Sequence, residues 1–196
     1  MTDLPEPPDE SDVTHPWMEV GLEDLDYAYS VTVIHHVDPD EALRRYGIDE
    51  SRIITTTWAE LQLAREDSVV YRVVAAFGLG PHTLIVEDGG EGASQPELSE
   101  GTFAVSSYCS INADQLFLVS RDGQTLAEFD EGLPSGVWGA EPWVIEEALA
   151  VMGIDDPNVF DEDDAELLDD LELLCQLAEV RPTVADVAGP ARAILE

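Results

Sequence analysis

The sequence predicts an α+β fold: an antiparallel meander sheet of about five to six strands, with helices before it and a helical C-terminal third. Three observations predict it. Between Val69 and Phe129 the apolar residues follow a strand-like period of two, broken by short turn signals. Two segments with helix start signals precede that stretch. After Pro142 the apolar residues recur at helical spacing.

The elements follow in order. Residues 1–14 hold five acids, three prolines and no base, and read as a disordered acidic tail. Residues 15–196 read as a single α+β domain, in which Pro16-Trp17-Met18 opens a short helix. Tyr27 to Ile34 is β-branched and aromatic, which favours a strand. Asp38 caps a two-turn helix over 39–46, with Pro39 at its first position, Glu41 at its third and Gly47 as its stop. Thr57 and Glu60 form a capping box that opens a helix to about Arg65.

Val69 to Phe77 and Thr83 to Glu87 read as a strand pair joined by a turn at 78–81. Gly89 to Gln95 is a Gly-rich loop. Thr102 to Tyr108, Gln115 to Ser120 and Thr125 to Phe129 continue the sheet. Asp122-Gly123 is the two-residue hairpin signal between the last two. Val144, Ile145, Ala148, Leu149 and Met152 give a helix that stops at Gly153. Residues 155–164 are an acidic connector. Asp163 and Glu166 form a capping box before a stripe of Leu167, Leu171, Leu174 and Leu177. Thr183 caps a final short helix, interrupted at Gly189-Pro190.

The composition excludes several function classes. The net charge is −35, from 43 acids against eight Arg and no Lys. Such a field repels nucleic-acid phosphate, whose binding requires Lys or Arg, so direct nucleic-acid binding is not expected. It is compatible with a basic protein partner, and equally with the composition of a GC-rich or salt-adapted proteome. A hydrophobic fraction of 44% is enough for a core, which argues against global disorder. The N-terminus lacks the basic and apolar regions of a signal peptide, and no apolar run reaches the roughly 20 residues of a membrane span. A cytoplasmic protein with no membrane association is the expectation. Cys109 and Cys175 are too few for a disulfide framework or a zinc site and read as reduced, packed thiols.

Four groups invite a chemical reading. His35-His36-Val37-Asp38-Pro39-Asp40 gathers imidazoles and carboxylates that can ligate zinc or iron. Against that, neighbouring residues on a strand point to opposite faces, and Asp38 is already a helix cap. The run Asp161 to Asp164 fails the EF-hand pattern and suits a solvated helix start. Gly89-Gly90-Glu91-Gly92 follows a strand but has no Lys for a phosphate; glycine there supplies positive φ. Ser106, Ser107 and Ser110 lack a nucleophile-elbow context. Trp58, Trp138 and Trp143 read as core or rim aromatics, with residues 138–142 as a second-choice partner surface. No residue is therefore assigned as catalytic, cofactor-binding or metal-ligating, and no cofactor is implied.

Several phrases resemble an uncharacterised actinobacterial family of unknown function. They are 27–33 (YAYSVTV), 41–47 (EALRRYG), 84–90 (LIVEDGG), 98–102 (LSEGT), Asp122-Gly123 with 127–130 (AEFD), and Trp138-Gly139. The resemblance spans about residues 17–187. It implies a bacterial cytosolic setting and a GC-rich genome, and supplies no activity or site. It also implies a small residue such as Gly where this chain has His35-His36.

Two readings of function follow. The first is a non-enzymatic binding or regulatory protein, for example of the immunity type that neutralises a basic partner, docking through the 1–14 tail and the 155–164 connector. The alternative is a metal-dependent hydrolase using His35, His36, Asp38 and Asp40.

Overall fold

A computed structural model describes residues 16–22, 25, 28–65, 70–89, 95–112, 115–130, 136–154 and 169–196. The 1–14 tail, the Asp163–Glu166 capping box and the 155–164 connector lie outside these residues. Strands β1 (Tyr29–Ile34), β2 (Ile54–Thr56), β3 (Val73–Leu79), β4 (His82–Asp88), β5 (Phe103–Cys109), β6 (Gln115–Arg121), β7 (Gln124–Asp130), β8 (Val137–Gly139) and β9 (Ala191–Leu195) form one sheet. Their order is β2-β9-β3-β4-β1-β5-β6-β7-β8, and every pairing is antiparallel.

This corrects the expected architecture. Antiparallel pairing is present, but the sheet has nine strands rather than five or six, and it is not a simple meander. The C-terminal third is not helical throughout. It ends in β9, which inserts between β2 and β3 and pairs with both. The residues after Gly189-Pro190 read as helix because Ala and Arg favour helices. The slot between two strands supplies backbone partners on both sides, and that tertiary gain overrides the local preference. The edge strands β2 and β8 are three residues long, a common way to blunt an open sheet edge.

Among the described residues five α-helices flank the sheet: α1 (Pro39–Arg45), α2 (Trp58–Arg65), α3 (Trp143–Val151), α4 (Asp170–Ala178) and α5 (Val184–Val187). The expected start signals operate at three of them. Asp38 accepts from the Glu41 amide, Thr57 and Glu60 bond reciprocally, and Thr183 caps α5 with Asp186. Residues 16–20 form a 3-10 turn.

The sheet divides the core in two. Val31, Val33, Phe77, Leu84, Val105 and Phe129 project to one face and pack with Trp17 and with residues of α2, α3, α4 and α5. Ile34, Val74, Ala76, Ile85, Ala104 and Ile194 project to the other, against Ala42 and Leu43 of α1 and Tyr46 just after it. Helix α4 is tied to β1 at both ends. At its first turn, the buried Asp170 accepts bonds on one oxygen from Trp17 Nε1 (2.6 Å), Tyr29 Oη (2.8 Å) and Ser107 Oγ (3.2 Å). At its last residue, Ala178 O lies 2.9 Å from His35 Nε2. Burial, together with the Asp170 carboxylate, drives the Tyr29 pKa far above that of ordinary tyrosine, so its hydroxyl stays a donor.

Candidate functional site

Histidine assembles at the end of the sheet where β1 stops. Ile34 pairs with Thr83, so the next step in register sets His35 opposite His82 on the face covered by α4. His36 does not continue the strand alternation. Its φ is 53°, in the left-handed region that favours glycine, and this turns the chain so that its ring joins the other two. The ring centroids lie 4.4 Å apart for His35–His82, 5.0 Å for His36–His82 and 6.0 Å for His35–His36. One nitrogen from each ring falls within 4.8 Å of the others.

The expectation that His35 and His36 face apart is thereby corrected. It assumed a strand that continues through both residues, and the strand ends one residue earlier. His82, which the sequence places beside a turn with no spacing that ties it to His35 and His36, is the third member. Finding it needs the β1–β4 pairing, which joins elements far apart in the chain. Asp38 and Asp40 do not join the group. Asp38 caps α1, and Asp40 pairs with Arg192 at 2.6 Å.

The surroundings of the three rings differ. His36 is exposed, whereas His35 and His82 are half-buried. His35 Nε2 faces the carbonyl of Ala178, so it carries the proton and donates, leaving its Nδ1 lone pair free. Phe103 packs edge-on against His35 at 5.2 Å. His82 Nδ1 is buried and has no hydrogen-bond partner. Burial lowers the His82 pKa below its ordinary value, and the neighbouring His35 and His36 lower it further.

The charged surface is the second feature. Seven of the eight Arg are committed to carboxylates. Arg44 and Arg45 pair with Glu41, Arg52 with Glu196, and Arg65 with the buried Asp88. Arg72 bridges the buried Glu87 (2.7 Å) and Glu196 (2.7 Å). Arg181 pairs with Glu172, and Arg192 with Asp40. Arg121 lies over the Phe103 ring, 5.4 Å from its centroid. Among the described residues six acids absorb seven of the bases, and over the whole sequence the 43 acids outnumber the eight Arg by 35.

Helix α3 presents part of that surplus beside apolar surface. Trp143, Glu146, Glu147, Ala150 and Val151 are all exposed and recur at helical spacing, so they share one outward face. Trp143 is 50% exposed and Val151 71%, although both are apolar and α3 buries Ile145 and Leu149 on its other side. By contrast, Trp17 and Trp58 are buried.

Of the remaining sequence candidates, Asp161 to Asp164 and Gly90 to Gly92 lie outside the described residues, and the others pack into the fold. Cys109 and Cys175 are buried and not joined in a disulfide, and burial, with Asp169 and Asp170 nearby, pushes the Cys175 thiol up to about 12. Ser107 bonds the buried Asp170, and Ser106 accepts from Thr32 on the opposite face. Gly89 has a φ of +80°, as a loop glycine should, and a Cβ there would sit 2.4 Å from Tyr71 O.

A nine-stranded antiparallel sheet with helices on both faces, an acid-rich sequence and a cluster of three imidazoles defines the class of protein. The sequence profile of DUF6461, a family of unknown function, matches residues 14–184. The chain belongs to that family. No curated protein and no solved structure matches it. Among the described residues, no helix is long and apolar enough to cross a membrane.

Proposed function

We propose that the protein is a non-enzymatic binding protein that docks a basic partner through its acidic surface, with the α3 face as the contact. The observation behind this reading is the commitment of the arginines. Seven of the eight already pair with carboxylates within the fold, and 43 acids outnumber the eight bases, so the chain itself cannot neutralise its charge of −35. A partner rich in Lys or Arg supplies the counter-charge. The α3 face adds what charge alone lacks, because exposed Trp is the residue type that most often anchors an interface. Glu146 and Glu147 beside Trp143 and Val151 suit a basic segment that also carries an apolar side chain. The reading takes the protein to be cytoplasmic and actinobacterial, as the sequence resemblance implies, and includes neutralisation of a basic effector as one form of the role.

Capture from the source cytosol at low salt tests it with three baits: the native chain, W143A/E146Q/E147Q, and E97Q/E100Q as a charge control elsewhere. The reading predicts one stoichiometric basic protein that the first and third baits retain and the second loses. Equal recovery by all three baits would count as generic charge attraction and refute the α3 face.

A further inference from the structure

We propose that His35, His36 and His82 bind one borderline divalent transition-metal ion of the Zn(II) type, a site independent of any partner on α3. Four observations point the same way.

First, three imidazole nitrogens lie within 4.8 Å of one another. A tetrahedral ion with Zn–N bonds of about 2.0–2.1 Å needs them roughly 3.3 Å apart. Side-chain rotation closes that gap, because His36 is exposed and free to swing inward.

Second, the outer contacts of a ligand histidine are in place. Ala178 O, at the C-terminal end of α4, takes the Nε2 proton of His35 and fixes the tautomer whose Nδ1 can ligate. A ligating histidine usually donates its other ring N–H to a carbonyl or carboxylate in this way.

Third, His82 Nδ1 is buried without a hydrogen-bond partner. Buried polar atoms are rarely left so, and each needs a physical account. A bound ion that draws the three rings together supplies one.

Fourth, His36 sits at a φ of 53°, a left-handed conformation uncommon for residues with a side chain, and this carries its ring to the other two. Such a conformation persists where the side chain it positions does something that glycine cannot.

The donor set selects the metal. All three ligands are neutral nitrogens, and among the described residues no carboxylate joins the group. Imidazoles suit Zn(II), Cu(II) and Ni(II), whereas Mg(II) and Ca(II) demand oxygen ligands. Three protein ligands, one of them exposed, leave a fourth position open to solvent. The competing account is simple ring packing, since His35 and His82 already touch.

Calorimetric titration of the chelator-stripped protein with ZnSO4, in roughly 10 mM MgCl2 to occupy surface carboxylates, separates the two accounts. The proposal predicts saturable one-to-one binding and a rise in Tm with zinc. His36→Gly removes a ligand and relieves the backbone. It should leave the metal-free Tm equal or higher, yet weaken zinc binding by at least the roughly 10–100-fold that loss of an outer-shell partner costs. His82→Gln should lose binding to a similar extent. If His82→Gln does not fold, His36→Gly alone decides. Absence of one-to-one binding in the native chain, or equal zinc affinity in His36→Gly, overturns the proposal.

Discussion

The contact most exposed to test by stability is the buried carboxylate of Asp170. It is 1% exposed, and one of its oxygens accepts from Trp17 Nε1, Tyr29 Oη and Ser107 Oγ. Those three donors come from the N-terminal turn, β1 and β5, so a single atom joins three elements to α4. Asp170→Ala leaves all three donors in the interior facing a cavity. A buried donor without its partner costs about 1–3 kcal/mol, and breaking a buried charged cluster from one side about 3–5 kcal/mol. The three costs are not additive, because relaxation is shared, so we expect a loss of roughly 3–5 kcal/mol in urea unfolding. At about 2–4 °C per kcal/mol for a chain of this size, Tm should fall by roughly 6–20 °C.

Two companion variants sharpen the test. Asp170→Asn keeps a carbonyl oxygen for the donors and loses only the charge, so its cost should be about 1.5–3 kcal/mol. Tyr29→Phe removes one of these donors and keeps the carboxylate, for a cost of about 1–2 kcal/mol. An Asp170→Ala cost below about 1 kcal/mol would refute the reasoning, since it would mean that the donors are satisfied without the carboxylate.

Further outcomes follow from the same structure. The net charge of −35 makes self-repulsion a large destabilising term, screened over roughly 10 Å at about 0.1 M salt, so Tm should rise steadily with NaCl in a thermal scan. Burial lowers the His82 pKa below its ordinary 6.5, so the unfolded chain takes up the proton first on acidification. That group therefore costs no stability above about pH 6.5 and a growing amount as pH falls towards its folded pKa; His82→Gln should flatten this slope in metal-free urea titrations. Gly89→Ala forces a Cβ to within 2.4 Å of Tyr71 O at a φ of +80°, and should cost about 1–3 kcal/mol. Both cysteines are buried, with the Cys175 thiol near 12, so neither should react with a thiol reagent until the chain unfolds.

What was legible in the sequence is what local chemistry specifies. Asp38, Thr57 with Glu60, and Thr183 open their helices as read, since a cap is a bond between residues three apart. Asp122-Gly123 turns with φ of 52° and 77°, the conformation that a two-residue hairpin demands, and β6 and β7 follow. What was not legible depends on distant partners. Ala191–Leu195 becomes a strand because β2 and β3 leave a slot for it, and its small Ala191 and Ala193 fit on the face covered by α2 to α5. The brief strands β2 and β8 carry too few residues for a period to show. The histidine cluster combines both kinds. His35 and His36 stood out as a pair, but His82 enters only through the β1–β4 register, and His36 only through a left-handed residue that strand periodicity does not foresee.

Docking of a basic partner on α3 is tested most directly by titrating the purified partner recovered at low salt into the native chain and into W143A/E146Q/E147Q, across a series of salt concentrations. The account predicts native affinity that falls steeply as salt rises, and a loss of at least about 2 kcal/mol in the variant at every salt, the size expected when an interface anchor is removed. Recovery of no stoichiometric partner, or the same affinity in both proteins, would contradict it.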